Sequence, residues 1–275
     1  MKKTLIIGTL ISAVFVYLSI KGVDFYKVIN GFKSVNILYV FITGIIFLLS
    51  HFLKSYRWGV ILSPLEKVSQ LSLFSVTSVG YLVILTIPSR LSEFARPFLI
   101  SRKSNIKLSS AIGSIFVERV LDSIALLLMF LVVLMYIPLP QWLINTGIIF
   151  FSTILFLLVI MIFLSFNRDL YSRWMIFFLK LCPEKMSIII KNLFDHFVDG
   201  FKMLVNIRLI LYVLFLSILI WIIEAFSAYF MFKALNLNLP VIAGFALIVI
   251  LTLGLVIPTA PGFIGGWHLF CVIAL

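Results

Sequence analysis

The sequence predicts an all-α, polytopic membrane helix bundle with two Pro-interrupted segments, broken or re-entrant. Three observations carry this. The 275 residues are 63% hydrophobic and only 12% charged, with a mean hydropathy of +1.23, whereas soluble domains carry about 25% charged residues. Seven uncharged or nearly uncharged runs follow one another along the chain, and two of them, 71–87 and 241–257, are short and stop at an Ile-Pro step. The same composition excludes disordered, collagen-like and disulfide-stapled chains, because apolar content is high, Gly is 14, Pro 9 and Cys 2.

The runs are 4–20, 35–53, 71–87, 109–137, 143–166, 209–232 and 241–257, within a single transmembrane domain 1–275. A helix crossing a hydrocarbon core of about 30 Å needs roughly 20 residues, and open sheets are excluded because their backbone groups find no partner there. Every run is therefore predicted helical. The first follows Met1-Lys2-Lys3 like a signal peptide, yet no small-x-small cleavage site follows it, so it stays as the first helix. Runs 71–87 and 241–257 hold only 17 residues each, contain Gly80, or Gly244 with Gly254, and are predicted short or broken.

An amphipathic helix is predicted at about 187–206, where Ile190, Leu193, Phe194, Phe197, Phe201 and Leu204 recur at helical spacing opposite Lys191, Asp195, Asp199 and Lys202. A helix lying on the membrane surface and a hairpin packing on the protein's own helices both fit that pattern. After Gly265-Gly266 nine residues remain, enough for a half-helix of about 13 Å. Either such a half-helix closes the fold, or the sequence is cut from a longer one.

Net charge is +12, from 22 Lys and Arg against 10 Asp and Glu. In a soluble protein this excess points to nucleic acid; here it reads as the basic bias of cytoplasmic loops, and no nucleic-acid partner is expected. With the N-terminus inside and 71–87 re-entrant, 17 basic residues fall inside and 4 outside; with the N-terminus outside and 71–87 crossing, the split is 15 to 6. Both arrangements put the basic loops 88–108 and 167–208 in the cytoplasm of a multi-pass protein of the plasma or inner membrane.

The two interruptions are similar. One reads Leu85-Thr-Ile-Pro88-Ser-Arg90-Leu-Ser-Glu93 and the other Leu255-Val-Ile-Pro258-Thr-Ala-Pro261-Gly262. Short Gly/Pro-interrupted segments in corresponding places of two halves point to a transporter built from inverted repeats; two ordinary spans merely kinked by Pro are the plainer reading. Ser89, Ser92 and Thr259 are placed to cap helices that start after the breaks, leaving N–H groups for an anion. Arg90 and Arg96 add positive charge, and a phosphate suits this setting. An alternative is that these basic residues only hold the loop to anionic lipids.

Glu118, Arg119 and Asp122 lie within the run 109–137, with Glu118 and Asp122 four apart on one helical face. Ionisable groups in spans cost roughly 3 kcal/mol each on insertion scales and face a cavity or one another. They are read as a polar site or as a structural ion-pair lock with Arg57, Arg90 or Arg96. Glu224 lies inside 209–232 with no basic residue within one helical turn, and is expected to hold an Arg or a lipid amine. His268 follows the second break, as a site residue or a packed polar one. No P-loop, dinucleotide fingerprint, GxSxG or HExxH is present, so no catalysis, cofactor or metal is expected.

The stretch Ile87-Pro-Ser-Arg-Leu-Ser-Glu93-Phe-Ala-Arg96-Pro, followed by Val117-Glu118-Arg119-Val-Leu-Asp122, resembles the transmembrane region of lysylphosphatidylglycerol synthases, which also occurs alone in flippase-like membrane proteins. Trp221-x-x-Glu224 and Ile257-Pro258-x-x-Pro261-Gly262-x-Ile264-Gly265 resemble later motifs of the same family. Ser92 stands where the family usually has Gly, Phe263 replaces the second Gly of its PGG, and His268 falls where a glutamate is expected. The soluble aminoacyl-transfer domain is missing from the sequence. The resemblance thus implies lipid translocation or a polyprenyl-glycan role, not lipid synthesis.

The expectation is a protein that moves a phosphate-bearing lipid, aminoacyl-phosphatidylglycerol-like or polyprenyl-linked, between leaflets. Its expected substrate-binding set is Arg90, Glu93, Arg96, Glu118, Arg119, Asp122, Glu224, Pro258, Gly262 and His268. Its expected partners are anionic or phosphate-bearing membrane lipids, with a glycosyltransferase or a second copy of the chain as further candidates. A scaffold presenting lipid to a glycosyltransferase is the rival reading; an ion or small-solute carrier is a third.

Overall fold

The computed structural model describes residues 2–86, 94–167, 183–255 and 261–275. Among them there are eleven α-helices and no strand. Three helices are long and apolar enough to cross a membrane by length and composition: α3 (Ile37–Leu62), α7 (Gln141–Phe166) and α9 (Ile207–Ala234). A fourth candidate is a bent pair, α1 (Lys2–Ile20) and α2 (Phe25–Lys33), meeting at 81°.

The bundle is built around α6 (Leu108–Tyr136), which carries more buried side chains than any other helix described. Around it stand α3, α5 (Ala95–Lys103), α7, α8 (Glu184–Asp199), α9 and α10 (Val241–Gly254). Its C-terminal half, through Leu126, Met129, Phe130 and Val133, joins an apolar core with α7, α9 and α10. Lower down, Val117, Val120 and Leu121 pack on Met161 of α7 and Val198 of α8. A third cluster joins Trp58 and Leu62 of α3 to Leu73, Val76 and Ile100. Glu118 and Asp122 lie where these apolar layers meet.

The two short apolar helices, α4 (Gln70–Thr86) and α10, have 17 and 14 residues, about 26 and 21 Å at 1.5 Å per residue, less than a full hydrocarbon core. Each is followed by a nine-residue helix that packs back on it: α5 on α4, and α11 (Gly266–Ala274) on α10. The packing is similar in both. A Cβ at Gly80 would overlap the stem of Arg96, and one at Gly254 would overlap the ring of Phe270. The two units also meet, because the turn Pro261–Phe263 lies against α4. The breaks themselves, 87–93 and 256–260, fall outside the described residues.

Several boundaries differ from the sequence reading. The run expected to end at residue 53 continues as helix to Leu62, so Lys54 and Arg57 are interior helical residues and not part of a loop. Counting uncharged residues stops at the first Lys, whereas a span continues past charges that find partners inside the bundle. Helix α2 was not expected, since Lys27 and Lys33 break the apolar run there. The amphipathic helix runs from Glu184 to Asp199 and ends in a short 3₁₀ turn, Lys202–Val205. Its C-terminal part packs on the protein's own helices, with Val198, Phe201, Met203 and Leu204 buried in the bundle, while Met186, Ile189 and Leu193 are exposed. The helix described after the second break starts at Gly266 and is capped by Gly265; Thr259, expected to cap such a helix, lies outside the described residues. Gly265 has φ +86° and abuts α1, where a Cβ would stand 2.6 Å from the Ser12 carbonyl.

Candidate functional site

Two polar stripes share one spacing. On α3, Ser50, Lys54 and Arg57 recur at i, i+4 and i+7; on α9, Ser217, Trp221 and Glu224 do the same. Such spacing puts each set on a single helical face. The helices pack with the stripes opposed and in reversed order, so that Ser50 and Lys54 meet Glu224 while Arg57 meets Ser217. Helix α6 brings Glu118 and Asp122 to the same seam, and α5 brings Arg96.

The closed end of this cluster is a buried ion-pair lattice. Arg57 bonds Asp122 through both Nη atoms, with Nη2 3.0 Å from Oδ2, and also reaches Glu118 Oε1 at 3.1 Å and Ser217 Oγ at 2.7 Å. Arg96 donates through both Nη atoms to the two Glu118 oxygens, each at 3.1 Å, the two-pronged geometry suited to a carboxylate. Its guanidinium stacks 4.4 Å from the centre of the Trp58 ring. Trp58 in turn donates to Ser114, and Trp221 donates to Asp122 at 3.2 Å. The Arg57, Arg96 and Glu118 side chains are at most 4% exposed.

The open end is more exposed. Lys54 pairs with Glu224, with 23% and 18% of the two side chains exposed, and Ser50 donates to the same carboxylate at 3.0 Å. Lys54 also lies 5.6 Å from the Tyr81 ring centre. His51 stands beside it, 2.8 Å from Ser78 Oγ and edge-on to Phe74 and Tyr81. Three cations, Lys54, Arg57 and Arg96, thus face three carboxylates, Glu118, Asp122 and Glu224. Formal neutrality is what makes such a cluster tolerable in an apolar surround, since each unpaired charge costs several kcal/mol there.

Of the residues expected to form the site, Arg96, Glu118, Asp122 and Glu224 are brought together here. Arg96 faces the interior, with both Nη groups on Glu118, and not an open anion site. Glu224 is held by Lys54 of another helix, so it is neither unpaired nor bound to an Arg. Arg119 is exposed on α6, outside the buried lattice. Gly262, at φ +66°, belongs to the turn packed on α4. His268 is exposed, and its Nδ1 accepts the Gly265 N–H at 3.3 Å, a capping role. Arg90, Glu93 and Pro258 lie outside the described residues. Arg57, one of the three arginines expected as lock partners, does pair with Glu118 and Asp122; Lys54, Ser217, His51 and Trp58 were missed, and for Lys54 and Ser217 the matching i, i+4, i+7 stripes were the available signal. Among the described residues no three His, Cys, Asp or Glu side chains gather as a metal would require.

The chain is similar to known membrane proteins. A UPF0104 membrane protein of Methanocaldococcus jannaschii, MJ1078, is 29% identical over 186 residues, covering 65% of this chain and 72% of the relative. A UPF0104 membrane protein of Methanothermobacter thermautotrophicus is 21% identical over 251 residues, covering 86% and 74%. No solved structure matches. The family model described as the lysylphosphatidylglycerol synthase TM region matches residues 5–275, and the chain belongs to that family of multi-pass membrane proteins.

Proposed function

We propose that the protein moves a phosphate-bearing lipid between leaflets, with the headgroup handled at the open end of the α3/α4/α9 seam and the acyl chains left in the bilayer. The carrying observation is the partly exposed Lys54–Glu224 pair, set within two long apolar helices and backed by the buried lattice. Charges at such depth are kept where they meet a ligand or a polar path. A phosphate arriving at this edge can exchange with Glu224 for the Lys54 ammonium, and His51, Ser50 and Tyr81 offer further polar groups. In this reading Arg57, Arg96, Glu118 and Asp122 position the seam without touching the lipid, and no covalent step is involved. The short α4 and α10 units meeting through the turn Pro261–Phe263 support a polar notch in place of two full spans.

The test is exchange of fluorescent lipids of several headgroup classes in vesicles containing the purified protein. Wild type is expected to exchange a phosphate-bearing class; Lys54→Gln is expected to lose exchange while keeping its elution profile and melting temperature close to wild type. Equal exchange by wild type and Lys54→Gln overturns the assignment of the edge. Activity that appears only when a lipid-dependent glycosyltransferase is added overturns transport in favour of the scaffold.

A further inference from the structure

One helix of the chain is used by nothing described so far. Helix α2 has no buried residue, although it is strongly two-faced. Phe25, Val28, Ile29 and Phe32 form an i, i+3, i+4, i+7 stripe and are 60%, 40%, 55% and 70% exposed. Lys27 and Lys33 are also exposed, on the rest of its surface. The helix is locally well made: Asp24 accepts the Tyr26 and Lys27 N–H groups as its N-cap.

Its placement says what covers the stripe. α2 leaves α1 through Gly22 at φ +83° and turns 81° from it, so if α1 runs along the membrane normal, α2 lies near the membrane plane. Its far end is tied to the end of a span: Asn236 Nδ2 donates to the Ser34 carbonyl at 2.7 Å, and the Asn36 N–H donates to the Ala234 carbonyl at 2.8 Å. These bonds set α2 level with the last turn of α9 and the first turn of α3, where apolar span gives way to polar chain. A short helix with an aromatic and aliphatic stripe on one side, lysines on another, and its axis across the spans matches an interfacial helix.

We propose that α2 lies in the bilayer interface as a lipid-binding surface, on the side opposite the basic loops. Its stripe enters the acyl region and Lys27 and Lys33 meet phospholipid phosphates. The occupant is the phospholipid monolayer and not a protein, because α2 is tied to the ends of two long apolar helices, and the first turns of α3 beside that tie, Ile37, Leu38 and Phe41, are exposed as well.

The experiment places an environment-sensitive fluorophore at Ile29→Cys or Asn30→Cys, in full-length chain carrying Cys182→Ser and Cys271→Ser, reconstituted in phosphatidylcholine/phosphatidylglycerol nanodiscs. The label at 29 is expected to be blue-shifted and quenched by a shallow doxyl-lipid, and the label at 30 to be quenched by aqueous iodide at least fivefold more strongly. Iodide quenching that is equal at both positions overturns the proposal, as expected if the stripe awaits a protein partner. Quenching at 29 by a bilayer-centre doxyl-lipid in preference to the shallow one overturns it too, since α2 is then part of a broken span.

Discussion

Glu118 is the residue on which the buried lattice turns, and its removal gives the sharpest test. It accepts from Arg96 twice and from Arg57 once, all at 3.1 Å, with its side chain 4% exposed. Glu118→Leu leaves two guanidiniums short of a carboxylate in an apolar setting, and removing one partner of a buried pair costs about 3–5 kcal/mol. Arg96→Leu costs less, because Glu118 keeps Arg57. Combining the two substitutions removes both the carboxylate and its main partner, leaving Arg57 with Asp122 and Ser217. The double variant is therefore expected to recover about 1–3 kcal/mol relative to the sum of the single effects. The assay is a double-mutant cycle by reversible unfolding in mixed micelles, read by tryptophan emission. A Glu118→Leu cost under about 1 kcal/mol, or a double variant whose loss equals the sum of the singles, refutes the lattice as the fixed framework of the seam.

Exchanging the open pair, as Lys54→Glu with Glu224→Lys, is expected to keep the fold within about 1 kcal/mol, because partly exposed pairs contribute little. The same swap is expected to lower exchange of a phosphate-bearing lipid, measured in vesicles, by moving the ammonium from α3 to α9. Gly265→Ala is expected to cost more than Gly22→Ala: both positions have positive φ, worth roughly 1–2 kcal/mol of strain, but a Cβ at 265 also meets the α1 backbone while one at 22 meets open space. Melting curves of the two variants check the order. Trp58→Phe removes the indole donor to Ser114 and weakens the stacking on Arg96; a loss of about 1–3 kcal/mol is expected in the same unfolding assay.

How far the sequence could be read depended on what sets each feature. Hydropathy is a property of a single segment against its solvent, and the runs 109–137, 143–166 and 209–232 matched their helices to within about two residues of each end. The shortness of α4 and α10 was legible for the same reason. Helix α2 was not, since its apolar residues are spread around lysines at helical spacing, where a count of uncharged runs sees a loop. Where α3 ends was decided by partners elsewhere. Lys54 and Arg57 stop a hydropathy count, and only Glu224, Asp122, Glu118 and Ser217 on other helices make their burial affordable.

The same point explains why the site was seen in halves. Glu118, Asp122 and Arg96 announced themselves by motif, and Glu224 by being a lone acid in an apolar run; Lys54 on α3 looked like a loop lysine, and Arg57 stood only as one of three arginines able to pair with Glu118 and Asp122. An isolated carboxylate within a span is costly enough that its presence implies a partner at the same depth. Helix α9 needs a basic residue facing Glu224 and a donor or acid facing Ser217, seven residues away. Helix α3 supplies polar groups at the same i, i+4, i+7 spacing as α9, Ser50, Lys54 and Arg57, in the antiparallel order that pairing requires. Matching the spacing of polar residues between spans, not tallying them within each, is what would have joined α3 to α9.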